Sequence, residues 1–176
     1  MSPRRWVLDA ERSSLRFAFT GADGEPVRGS FAIWSATLTL DPEAIAGAEV
    51  EVRVATESID TGDARRDEML RARLFLDAAD HRIVAFSGRQ AVHARDARWR
   101  LLGDLTIKDS TVPLLVDVTW GGVVADPSGA GARATCSARC SFDPGRFGLG
   151  TALAATTGVL QVAVQVTAEF ACTVWE

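Results

Sequence analysis

The sequence predicts an all-β domain, an antiparallel sandwich or barrel with one helix packed against it. Three observations predict this fold. Apolar residues recur with period two along most of the chain. Clusters of turn-forming residues separate these runs at short intervals. Only the stretch after Asp63 breaks the alternation, with a capping residue and dense charge.

Taken in chain order, "SLRFAFTG" sets Leu15, Phe17 and Phe19 against Arg16 and Ala18. "GADGEP" then turns the chain, and "ATLTLDP" reads as a strand with an Asp-Pro exit. Phe31 and Trp34 are three apart, so a bulge is required if both face inward. "EVEVRVATES" alternates Val50, Val52 and Val54 with charged partners. Asp63 caps a helix expected to run to about Arg73, with Asp67 and Arg71 as an exposed supporting pair. Leu70 and Leu74 form the apolar edge that docks on the sheet, Met69 and Phe75 lie beside it, and Arg66 is on the wet side. "RIVAFSGRQAV" is the next strand, and "WRLLGDLTIKD" places Trp99, Leu101, Gly103, Leu105 and Ile107 on one face. "LLVDVTWGG" puts Val116, Val118 and Trp120 on one side. "ARATCSARCSFD" is less patterned but lies between two turns, and "VLQVAVQVTAEFACTVW" supplies the last strand or two.

The chain of 176 residues is 47% hydrophobic and 24% charged, an ordinary balance for one globular domain with a single core. A net charge of -4 and the lack of a basic, aromatic-interleaved stripe argue against nucleic-acid binding. Arg4 and Arg5 are not followed by an apolar run, so no export signal is read and a cytoplasmic location is expected. Residues Phe147 to Ala168 carry no charge, but their threonines, glutamines and glycines read as a loop and a strand rather than a stable membrane insertion.

Catalytic patterns are sparse. There is no nucleophile elbow and no phosphate-binding glycine loop. His81 and His93 lack ligand spacing, and "CSARC" (Cys136, Cys140) has no second ligand pair, so neither a metal nor another cofactor is expected. Four residues of strand span about 13 Å, too far for those two cysteines to bridge. Lys108 stands at a strand-to-turn junction and reads as a surface lysine, with contact to an anionic headgroup as the alternative.

An ordered series of segments resembles the YceI-like family. "WVLDAERSSLRFAF" is similar to the family's opening, and "VRGSFAIWSATLTLDP" to its Gly-x-Phe strand. "ESIDTGDARRDEMLRARLFLDAADHRIVAFSG" resembles its Ser-Ile-x-Thr, Arg-Asp-x-x-Leu, Phe-x-Asp and Ile-x-Phe-x-Ser series. "LLGDLTIKDSTVPLLVDV" and "CSFDPGRFGLG" resemble later segments, with Lys108-Asp109-Ser110 and Asp143-Pro144 departing from the usual residues. The resemblance covers nearly the whole chain. It implies an extended, lipocalin-like antiparallel barrel of about eight strands, with one helix, whose hydrophobic channel holds a long isoprenoid chain.

The expected function is therefore binding of a polyprenyl quinone, polyprenyl phosphate or similar amphiphile, for storage, transport or sequestration. Phe17, Phe19, Phe31, Trp34, Phe86 and Trp120 would supply broad walls. Val52, Val54, Leu105, Ile107, Val116, Val118, Val162 and Val164 would fill the interior faces, and Met69, Leu70, Leu74 and Phe75 would cover or line the channel. Two other readings compete with this one. One is an enzyme acting on a small hydrophobe, with His81 or Asp104 as base. The other is a ligand-free module that forms a homodimer through its sheet.

Overall fold

The computed structural model describes residues 3–20, 24–127 and 131–149, and the backbone of 164–174. Its strands are β1 (Arg4–Leu8), β2 (Ser14–Thr20), β3 (Pro26–Phe31), β4 (Trp34–Leu40), β5 (Glu49–Ala55), β6 (Ile59–Asp60), β7 (Ile83–Arg95), β8 (Arg98–Ile107), β9 (Ser110–Ala125), β10 (Ala132–Phe142) and β11 (Val164–Val174). The helix α1 (Ala64–Arg71) lies between β6 and β7.

All pairings are antiparallel, in the order β1-β4-β5-β7-β8-β9-β10-β11, and β11 returns to β1 to close the ring. Closure removes the exposed edges that an open sheet would leave. β11 pairs on one side with β10; on the other, its first half pairs with β2 and its last residues with β1. Thus β1 and β2 share one position in the wall, interrupted by the turn Ala10–Arg12, which Asp9 caps through the Glu11 amide. β3 and β6 extend the sheet beyond β2. Phe31 ends β3 and Trp34 begins β4, so a two-residue corner, not a bulge, re-aims the chain between them.

Alternation sorts the faces as the pattern predicts. Leu101, Leu105 and Ile107 on β8 and Leu114 and Val116 on β9 are buried, while Leu102, Asp104 and Leu115 between them are exposed. Three apolar clusters result. One gathers Leu101, Leu105, Leu114, Val116, Phe147 and Leu149. A second holds Trp6, Leu40, Ala48 and Ala134, where the Trp6 indole donates to the Leu40 carbonyl at 3.4 Å. The third holds Leu15, Ala36, Val52 and Val54.

The helix is shorter and more tightly bound than its sequence implies. It starts at Asp63, whose carboxylate accepts from the amides of Arg65 and Arg66 at 3.0 and 3.1 Å, and it ends at Arg71. The following chain folds back instead of continuing, with the Leu76 amide on the Leu70 carbonyl and Asp77 at φ 51°. Leu74 therefore leaves the i,i+4 phase of Leu70; it is 70% exposed and does not dock on the sheet. Asp67 and Arg71 are likewise no surface pair. Asp67 is buried and accepts from the Thr61 amide at 2.9 Å and hydroxyl at 2.6 Å. Arg71 donates to the carbonyls of Glu57 and Ile59. Arg66 is half-buried rather than wet, bonded to the Thr61 hydroxyl and carbonyl.

Candidate functional site

The barrel encloses an apolar chamber of about 280 Å³. Its lining runs from Ile59, Leu70, Phe75 and Leu76, around β6 and α1, to Leu40, Ile45, Trp99 and Trp120 at the other end. Every lining side chain is apolar or a thiol, apart from Arg16 and Arg139, whose positions on their strands are out of phase with the inward neighbours Leu15, Phe17, Ala138 and Cys140. No histidine or carboxylate lines it among the described residues. A buried polar group without a hydrogen-bonding partner costs roughly 2–7 kcal/mol, so this interior favours hydrocarbon over a polar guest.

Two glycines explain why large aromatic residues line the wall without filling the centre. Gly29 is registered against Phe17, and a Cβ there would fall on the Phe17 ring. Gly103, on the inward phase of β8, would collide in the same way with the Phe86 ring and the Ser87 carbonyl. Each ring occupies the space a neighbouring side chain would take, as when an aromatic residue covers a glycine in a curved sheet. The aromatic group also includes Phe19, stacked on Phe17 at 6.2 Å, and Phe31, tilted against Phe17 at 5.4 Å.

Most of the residues singled out from sequence meet in this chamber. Phe17, Phe19, Phe31, Val52, Val54 and Phe86 line it, as do Leu70 and Phe75 from the α1 region. Leu105, Ile107, Val116, Val118 and Trp120 complete that set. Three residues do not line it. Leu74 points away for the reason given above, and Met69 is 42% exposed because only the Leu70 side of the short helix faces the interior. Trp34, at the first position of β4, packs against the cluster of Leu15, Ala36, Val52 and Val54 instead of the open volume. Val162 lies outside the described residues; Val164 is placed only as backbone, paired with Phe142. Sequence reasoning left out Ile59, Trp99, Leu101, Leu114, Cys136 and Cys140, all of which line the chamber. Trp99 and Leu101 were accessible to it, since they share the phase of Leu105 and Ile107.

The candidate catalytic groups are dispersed. Asp104 is exposed on the outer face of β8. His81 lies 3.9 Å from both Asp77 and Asp109, outside the chamber lining, and its carbonyl accepts from the buried Thr56 hydroxyl. His93 packs edge-on to Trp99 and contacts the Asp96 carbonyl at 2.8 Å. Lys108, at φ 55°, donates to the Arg73 carbonyl at 3.1 Å and so ties the chain after α1 to the β8–β9 turn.

Fold and site together define a closed antiparallel barrel with a hydrocarbon-like interior and a short helix at one end. The chain matches the YceI-like domain over residues 6–172 and belongs to that family. It is 27% identical over 146 residues to a UPF0312 protein of Vibrio cholerae serotype O1, covering 82% of this chain and 77% of that one. It is 27% identical over 142 residues to another from Pseudomonas savastanoi pv. phaseolicola, covering 81% and 70%. Among solved structures, Burkholderia cenocepacia BcnA superimposes with a TM-score of 0.80 at 22% identity, over 94% of this chain and 99% of that one. A polyisoprenoid binding domain from Saccharophagus degradans, implicated in plant cell wall breakdown, superimposes with a TM-score of 0.71 at 14% identity, over 97% and 98%.

Proposed function

We propose that this protein binds a long isoprenoid-type chain inside the barrel and holds or carries it rather than transforming it. The observation that carries the reading is the chamber lining, which offers hydrocarbon contact and, among the described residues, no carboxylate or histidine. The likeness to a domain described as polyisoprenoid binding supports the same reading. The volume sets a scale. An apolar cavity of about 150 Å³ accepts one benzene, so the chamber takes on the order of ten carbons without rearrangement, and longer tails must displace lining side chains or project from it.

Tryptophan fluorescence provides the test, because Trp99 and Trp120 line the chamber. Titration with a prenyl alcohol is expected to change their emission saturably at micromolar concentration, and the ligand should raise the melting temperature by mass action. Absence of both effects would remove the reading. Extracts of protein purified without detergent, analysed by mass spectrometry, would then identify the natural chain.

A further inference from the structure

The chamber cannot solvate a polar headgroup. Among the described residues its walls supply no inward hydrogen-bond donor other than thiols, so a charged group on a bound chain is better held elsewhere. The outer faces of β8, β9 and β10 carry a concave cleft that contains Arg95, Arg98, Arg100 and Arg139, with Asp117 as its only carboxylate among the described residues. Trp99, Val118 and Arg139 border both this cleft and the chamber.

The cleft runs against the charge of the molecule, which is net -4. Cross-strand register builds it: Arg100 and Arg139 both lie opposite Asp117 on neighbouring strands, and Arg95 is registered against Arg98 across the β7–β8 turn. Asp117 approaches Arg100 at 3.7 Å. Arg95, Arg98 and Arg139 make no side-chain hydrogen bond or ion pair among the described residues. Like charges placed directly opposite one another destabilise a sheet. An anion in the cleft would turn that repulsion into charge-assisted bonding, for which guanidinium forks suit phosphate oxygens in particular. The α1 end of the barrel offers no equivalent, because acids outnumber arginines between Glu57 and Arg82.

We infer that the arginine cleft of β8–β10 receives an anionic, phosphate-type headgroup of a ligand whose prenyl tail occupies the chamber. This rests on the chamber reading and narrows it from prenyl chains in general to prenyl phosphates.

The experiment compares farnesyl phosphate, farnesol and inorganic phosphate by tryptophan fluorescence, on the wild type and on the double variant Arg95→Gln, Arg98→Gln, whose two arginines border the cleft but not the chamber. For the wild type at low salt, farnesyl phosphate is expected to bind about tenfold tighter than farnesol, with the advantage falling as salt is raised. The double variant should lose most of that advantage yet bind farnesol as the wild type does, which also reports that it is folded. Equal binding of phosphate and alcohol by the wild type overturns the headgroup assignment and leaves the chamber reading standing. If neither prenyl ligand binds, both fall. If inorganic phosphate binds as tightly as farnesyl phosphate, the cleft is an independent anion site and the assignment is overturned.

Discussion

The wall of the barrel and its α1 closure are held by different forces. The wall depends on many apolar contacts arranged by strand alternation, as in the run Leu101, Leu105, Leu114 and Val116. The closure depends on a few polar links: Asp67 to Thr61, Arg66 to Thr61, and Arg71 to the carbonyls of Glu57 and Ile59. In the wall, each residue contributes a share and substitutions of similar volume are tolerated. In the closure, removing one partner leaves another polar group buried without a partner. Charge density in the sequence therefore marks the part of the molecule least tolerant of change.

The strongest test of that contrast is Asp67→Ala. It strips the acceptor from both the amide and the hydroxyl of Thr61, and should lower stability by about 3 kcal/mol in urea denaturation. A cost under 1 kcal/mol would mean that the closure is not held by this carboxylate.

Next in size is Gly103→Ala, which drives the Phe86 ring toward the chamber and strains the backbone at Ser87. A cost of about 2 kcal/mol is expected from overpacking, together with weaker prenyl binding in the fluorescence titration. Val118→Trp separates the two readouts. It fills the chamber with little loss of folding, and binding should fall at least about tenfold, or about 1.4 kcal/mol. Unchanged binding by a folded Val118→Trp protein would show that the guest does not pass this level of β9.

Arg66→Ala should cost about 1 kcal/mol, since two half-buried hydrogen bonds are lost. Leu74→Asp is the smallest: at 70% exposure it should shift the denaturation midpoint by less than about 0.5 kcal/mol equivalent. If Leu74→Asp proves as damaging as Asp67→Ala, the closure packs differently from this account.

Acid acts on the closure too. The amides of Arg66 and Arg65 hold the Asp63 carboxyl below its usual value of 3.8. Its contribution is therefore complete above the unfolded value and is lost as pH falls through the lower folded one. Helical exchange protection at α1 should weaken in that acid window and be less pH-sensitive in Asp63→Asn, which keeps a capping acceptor.

The same contrast governs what could be read from sequence. Period two exposed the inward phases of β2, β5, β8 and β9, and hence most of the chamber lining. Alternation fails where the chain is short and irregular. Leu70 and Leu74 fit a helical repeat, which puts Leu74 on the helix edge; the chain leaves the helix after Arg71 and the repeat no longer applies. Asp67 looked like a surface acid because nothing in its spacing reveals Thr61 above it. The arginine cleft requires the register of three strands, which no single strand encodes. The glycine signal could have been found, since Gly103 lies on the inward phase of an otherwise bulky strand and marks room for a ring from next door.

The seam between β1 and β11 bears on how the molecule assembles. Three registered pairs, Trp6 with Val174, Val7 with Thr173 and Leu8 with Cys172, join strands separated by nearly the whole chain. Hairpins such as β7–β8 and β8–β9 close small loops and can form early, whereas this pairing carries the largest loop-closure entropy in the barrel. The ring should therefore zip through its hairpins first and lock its seam last. Since the seam brings Trp6 and Val174 side by side, linking β11 to β1 and opening the chain at the Asp96 turn would keep the same hoop of strands but move the last, long-range closure from β1–β11 to β7–β8.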